Sequence, residues 1–196
     1  MMPFLNNRLI SEVRCLIGID KDTFYMKHFN SNSKNLGKKV LMDKNNKKSN
    51  YYYFYIKNCN GLIEEVQMNG YEFHIWGCKQ NSINNHDLLV FDLDPDENLP
   101  ISKVKDAAKD LKTILDELKL KSYLKTSGGK GYHFYVPLLS TTWNKTEKIS
   151  ENIANILVTK HLDKYTVNLQ IKSVKEKFLL IITEIKKVLL AYVLIL

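Results

Sequence analysis

The sequence predicts a protein of mixed α and β class, with helices packed on a sheet, and three observations carry that prediction. Short aromatic and β-branched runs alternate with Asn- and Gly-containing turns between Tyr51 and Trp76. Leu88 to Leu93 is a continuous apolar run ended by Pro95, the pattern of a buried central strand. Val104, Ala107, Ala108, Leu111, Leu115 and Leu118 then recur at helical spacing, while Lys109, Asp110, Lys112 and Asp116 fall on the other face.

In chain order, Met1 to Leu5 shows no cap or turn and leads into strand-like residues. Phe24 to His28 reads as a short strand that delivers two basic groups. Ser31 to Asn50, rich in Asn, Lys and Ser, reads as a solvated loop. Tyr51 to Ile56 is a strand, Asn58 to Gly61 a turn and Leu62 to Met68 a second strand, so the spacing predicts a hairpin. Tyr71 to Trp76 follows as another strand. The periodic helix starts with Ser102 as its N-cap. Ser122 to Lys125 and Tyr132 to Val136 are strands flanking a glycine-rich loop, and Lys145 to Lys160 is a second helix. No internal repeat and no interdomain linker is visible.

At 196 residues and 44% apolar content the chain has the size and composition of one folded domain. Its formal net charge of +8 suits a polyanionic partner, although Lys and Asn also accumulate wherever coding DNA is AT-rich. Cys15, Cys59 and Cys78 are far apart and form no CxxC pair, which argues against a disulfide framework and a cysteine-rich zinc site. Cys78 follows His74 by four residues, but the local pattern is that of a strand rather than a helix that would align them. Reduced thiols, and an N-terminus without the basic start and apolar core of a signal peptide, predict a cytoplasmic protein.

Two segments carry chemistry. In a strand, residues two apart share a face, so Asp92 and Asp94 put neighbouring carboxylates at a strand end, with Leu93 directed to the core. Like charges this close repel, and a divalent cation relieves the repulsion. The competing reading is a pair of solvated acids at a strand exit, with Pro95 and Asp96 forming the turn. The same Asp-x-Asp occurs in phosphatases with a nucleophilic aspartate, but Pro95-Asp96 stands where those carry Thr or Val. The loop Ser127 to Gly131 supplies glycines whose amides approach phosphate oxygens closely, and it adds the Lys130 charge and the Ser127 hydroxyl. Tyr132 stands where a Walker-type loop needs Ser or Thr, so a P-loop is excluded and a plain glycine turn remains the alternative.

Together these segments resemble the polymerase domain of bacterial ATP-dependent ligase D, a branch of the archaeo-eukaryotic primase superfamily. The likeness runs through Met2-Pro3-Phe4-Leu5, Arg8, Arg14-Cys15, Gly18-Ile19-Asp20, Phe24 to His28, Gln67-Met68 with Glu72 to Trp76, Asp92 to Pro95, Lys125 to Pro137, Tyr165-Thr166-Val167 and Lys172-Ser173. It implies an α+β primase-type catalytic core with a largely antiparallel sheet, incomplete at both ends. It also implies nucleotidyl transfer to DNA 3′ ends in break repair by non-homologous end joining. By this resemblance Asp92 and Asp94 bind Mn²⁺ or Mg²⁺, while His74, Ser127 and Lys130 hold the nucleoside triphosphate. His133 contacts phosphate or orders the loop, and Lys27 and His28 meet a DNA 5′-phosphate. The partners implied are DNA ends, nucleoside triphosphates and a ligase module or end-binding protein, with no membrane.

Two departures from the family stand out. Leu118-Lys119-Leu120 replaces the glycine usual at that helix end. After Lys175 the family has a strand of the type Gly-Lys-Ile-Phe-Ile-Asp-Tyr-Tyr-Arg-Asn, whose Asp is the third metal ligand. Here Glu176 to Glu184 is apolar apart from Lys177 and its acidic and hydroxyl ends. Codons permitted for Glu176 onward spell the family motif one frame away, so a frameshift is expected: 1–175 as a partial polymerase domain and 176–196 as its shifted remnant. A core helix or a membrane-lying anchor are the other readings of this tail, although Glu184, Lys186 and Lys187 interrupt it well short of the roughly 20 residues needed to span. With two carboxylates the chain is expected to transfer nucleotides poorly. The alternative is a non-catalytic DNA-end-binding remnant or a pseudogene product.

Overall fold

The computed structural model describes residues 1–18, 20–28, 32–42, 50–94, 100–126, 131–162, 164–166, 178–182 and 191–194, with only the backbone at 42, 50, 94, 166, 178–182 and 191–194. It divides into two compact units, one of residues 1–83 with 188–196 and the other of 84–187.

The first unit begins with α1 (Met2–Leu5), where the sequence suggested an approach to a strand. Pro3 in the first turn explains the difference, since its fixed φ favours helix entry and its missing N–H costs nothing there. The sheet contains β1 (Ile10–Arg14), β2 (Phe24–Met26), β3 (Leu36–Met42), β4 (Asn50–Ile56), β5 (Gly70–Ile75) and β11 (Ala191–Leu194). Its order is β11-β5-β1-β4-β3, with β2 also paired to β1, and every pairing is antiparallel. Strand β3 lies inside the stretch expected to be a loop. Its polar Lys38 and Lys39 hide the strand pattern, yet it pairs with β4 along its whole length. At Gly37 a Cβ would fall within the Tyr55 ring that lies across it, so any larger residue here requires that ring to move.

The expected strand at 62–68 is a helix, α2 (Cys59–Gln67). Asn58, assigned to a turn, is its N-cap and accepts a hydrogen bond from the Gly61 amide at 3.0 Å. Gly61 lets the helix approach the preceding chain, because a Cβ there would stand 2.6 Å from the Asn35 carbonyl oxygen. Glu64 accepts from Asn35 Nδ2 at 2.6 Å, and Glu65 accepts from Arg14 at 2.7 Å. Arg14 also donates to Glu12, making a buried ionic cluster between α2 and one face of the sheet.

The second unit is built on β6 (Asn85–Asp94), β7 (Tyr123–Thr126), β8 (Tyr132–Thr142), β9 (Tyr165–Thr166) and β10 (Phe178–Ile182), in the order β7-β8-β6-β10-β9. All pairings are antiparallel except β10 with β9. Helices α3 (Ile101–Glu117) and α4 (Trp143–Lys160) supply the helical layer. Phe91, Leu93, Phe134 and Val136 of the sheet form one core with Val104, Leu111 and Leu115 of α3 and with Ile153 and Leu157 of α4. Pro100, not Ser102, is the N-cap of α3. Ser102 is inside the helix, which starts two residues earlier than expected, after Pro100.

Helix α3 ends in a Schellman motif: Leu120 N–H donates to the Leu115 carbonyl at 2.8 Å and Lys119 N–H to Asp116 at 2.9 Å. Lys119 takes φ 56°, the left-handed position that the sequence comparison singled out. Asp110 of α3 accepts from Tyr165 Oη at 2.6 Å and from Lys164 Nζ at 3.2 Å. Burial raises the Asp110 carboxyl, but these two donors outweigh it and the pKa falls below the usual value. The tail at 178–182 and 191–194 is strand, not helix. Among the described residues no helix is long and apolar enough to cross a membrane.

Candidate active site

One cross-strand row organises the face of the second unit's sheet opposite its helices. Lys125 on β7 faces His133 on β8, His133 faces Asp92 on β6, and Asp92 faces position 181 on β10. Facing residues in antiparallel strands lie on the same side of the sheet. The flanking residues Leu93, Phe91 and Phe134 belong to the core under the helices, so alternation sends Asp92 and His133 to the opposite face.

Within the row, His133 Nε2 is 3.3 Å from Asp92 Oδ1; the histidine side chain is 1% exposed and the aspartate 19%. The carboxylate is therefore held by a buried imidazole while remaining open to a ligand. Tyr135, two residues beyond His133, packs its ring 6.4 Å from the imidazole. Burial first, and the Asp92 charge second, push its phenol pKa well up, which keeps it a neutral hydroxyl. Asp94 ends β6 across from Leu179; its side chain is outside the described residues. Ser127 and Lys130 also lie outside them, in the connection that leaves β7 after Thr126 and returns at Gly131, next to His133.

The remaining predicted residues belong to the first unit. His74 on β5 is fully buried, with Nε2 3.1 Å from Glu72 Oε2 and the Tyr25 ring edge-on at 5.6 Å. It is in register with Ser11, whereas the next residue pair, Glu12 and Phe73, belongs to the face that meets α2. Lys27 and His28 follow β2 directly. His28 stacks on Tyr51 at 4.5 Å and meets Tyr53 edge-on at 4.8 Å. Desolvation in this cluster, then the neighbouring Lys27 charge, lowers its pKa below 6.5. At neutral pH the ring is thus a stacking surface more than a cation.

As a metal site, Asp92 with Asp94 two residues on offers hard oxygen donors suited to Mn²⁺ or Mg²⁺. Among the described residues no group of three or more His, Cys, Asp or Glu side chains is placed to hold a metal ion, His74 and Cys78 included. Of the two carboxylates, the structure describes the side chain of Asp92 alone. Position 181, beside Asp92, carries isoleucine. Lys125 and Tyr135 were not singled out from sequence, although counting by twos from His133 and across the β7–β8 turn reaches both.

A strand bearing Asp-x-Asp, flanked by a histidine strand and backed by two helices, defines a core of the primase-polymerase class. The chain belongs to the LigD primase-polymerase domain family, whose profile matches residues 1–182. It is 34% identical over 154 residues to the multifunctional non-homologous end joining protein LigD of Pseudomonas aeruginosa, covering 78% of this chain and 18% of that protein. It is 24% identical over 187 residues to the bifunctional non-homologous end joining protein LigD of Bacillus subtilis, covering 88% of this chain and 28% of that one. The chain thus spans well under a third of these relatives. The polymerase domain of Mycobacterium tuberculosis Ligase D, solved in complex with DNA, shares the fold with a TM-score of 0.81 at 20% identity, covering 92% of this chain and 65% of that one.

Proposed function

We propose that this chain is a nucleotidyl-transfer module for DNA ends, which adds ribo- or deoxyribonucleotides in non-homologous end joining and whose catalysis is weak as written. The Asp92–His133 row carries the reading. Asp92 and Asp94 hold Mn²⁺ or Mg²⁺, which when bound supplies charge neutralisation at the α-phosphate and activates the attacking 3′-hydroxyl. His133 fixes the Asp92 carboxylate. Ser127 and Lys130 take the triphosphate, and Lys125, in register with His133, adds positive charge at the base of that loop. In the first unit, His74, held by Glu72, is the nucleotide-binding candidate that the family resemblance implies, and Lys27 meets the DNA 5′-phosphate beside the His28–Tyr51 stack. A nucleoside triphosphate pool, DNA ends and a ligase or end-binding partner complete the reaction.

Primer extension on a 5′-phosphorylated, recessed DNA end with Mn²⁺ tests this. The expected result is salt-dependent DNA binding with little incorporation. Robust incorporation overturns the weak catalysis, and absence of both DNA and nucleotide binding overturns the function. One observation favours a second reading, a non-catalytic end-binding remnant: isoleucine occupies position 181. That reading stands if no substitution at 181 restores incorporation.

A further inference from the structure

The helix-covered face of the second unit, opposite Asp92, carries an open groove of about 470 Å³ between α3 and the strands β7 and β8. Its floor is Leu124, Tyr132 and Phe134. Phe134 is buried at the bottom, but Leu124 on the edge strand is 54% exposed. The rim is Lys105, Lys109 and Lys112, and among the described residues no acidic side chain lines the groove.

Of the acids on α3, Asp110 and Glu117 are engaged from the α4 side by Lys164 at 3.2 Å and Lys160 at 2.6 Å, while Asp106 and Asp116 pair within the helix. Its lysines at i, i+4 and i+7 rim the groove instead, spanning about two turns or roughly 10 Å of helix. Lys109 and Lys112 meet Asp106 and Asp116 on the same helix. Such exposed pairs are worth little and exchange readily for better-placed carboxylates.

We propose that this groove docks an amphipathic, acidic helix of a protein partner. Two or three apolar anchors insert over Leu124, Tyr132 and Phe134, while carboxylates on the flank meet Lys105, Lys109 and Lys112. The two-turn length and apolar floor match helix-in-groove recognition, in which anchors recur at i, i+3 or i+4 and i+7. A nucleic-acid strand is the poorer occupant: Phe134 offers no free ring face, and the groove is on the side of the sheet away from the carboxylates that act on DNA.

The test uses the full chain and two labelled synthetic helices of about 18 residues, long enough to be helical alone. They share one leucine stripe; one is flanked by Glu and its twin by Lys. Fluorescence anisotropy is expected to show the Glu helix binding at least about tenfold tighter than the twin, a difference of 1.4 kcal/mol. Leu124→Glu is expected to cut that affinity about tenfold, as is the surface pair Lys105→Glu with Lys109→Glu, which keeps the proposal testable if Leu124→Glu misfolds. Equal binding of the twins, indifference to both variants, or displacement of the Glu helix by oligo(dT) overturns the proposal. Primer-extension results bear on the catalytic face alone, so the two proposals fail separately.

Discussion

Ile181 lies directly across from Asp92 in the antiparallel pairing of β10 with β6. Facing Cβ atoms in such a pair are about 5 Å apart on one side of the sheet, so a carboxylate at 181 would share a cation with Asp92. The frameshift expected from the sequence would put the family's aspartate at the sixth residue from Glu176, which is this position. Ile181→Asp is therefore expected to raise Mn²⁺-dependent primer extension by at least about tenfold, because charge stabilisation at such centres is worth several kcal/mol. Ile181→Asn is expected to leave it unchanged. Equal rates for all three proteins would count against the row as a catalytic centre, and sequencing the gene checks the frame directly.

Stability is expected to fall on the alkaline side because of Glu12. Burial, and after it the Glu65 charge, pushes its pKa up to about 8 in spite of Arg14. The folded state thus favours the protonated acid, whereas the unfolded chain titrates near 4.5. The contribution is complete below about 4.5 and is lost as pH rises through about 8. Melting temperatures recorded from pH 5 to 8.5 test this: Glu12→Gln should flatten the decline, and an unchanged slope would refute the assignment.

At the end of α3, Lys119→Gly removes a side chain from a left-handed backbone without touching the Schellman hydrogen bonds. A stabilisation of about 1 kcal/mol is expected from denaturant midpoints at constant slope. A loss of stability would mean that the lysine side chain contributes more than its backbone costs.

Gly37→Ala should destabilise by roughly 1–3 kcal/mol, since the added methyl meets the Tyr55 ring. Combined with Tyr55→Ala the penalty should shrink, and a double-mutant cycle reads the coupling. Additive losses would place the cost of the alanine elsewhere.

The elements legible in the sequence are those with a clear local pattern: Leu88 to Leu93, the aromatic and β-branched runs of β2, β4, β5, β7 and β8, the apolar face of α3, and α4. The elements missed had their pattern masked. In β3, Lys38 and Lys39 look like loop residues because the chain there gains its order from pairing with β4, not from apolar alternation. In α2, Gly61 resembles a turn residue, yet its role is to let the helix pass the Asn35 carbonyl. The site divided the same way. Asp92 and His133 are readable because strand alternation is local, whereas their mutual contact and the Lys125 register depend on which strands become neighbours.

The grip of Asp110 on Tyr165 and Lys164 has a consequence for the neighbouring strand β10. Tyr165 begins β9, the parallel neighbour of β10, so β9 is moored from the helical layer by side chains upstream of position 176. Between β9 and β6 this leaves a berth whose walls are main-chain amides and carbonyls, indifferent to what the incoming segment spells. Many sequences can therefore fill the berth, and changing the chemistry at position 181 becomes a matter of one letter rather than of rebuilding the sheet.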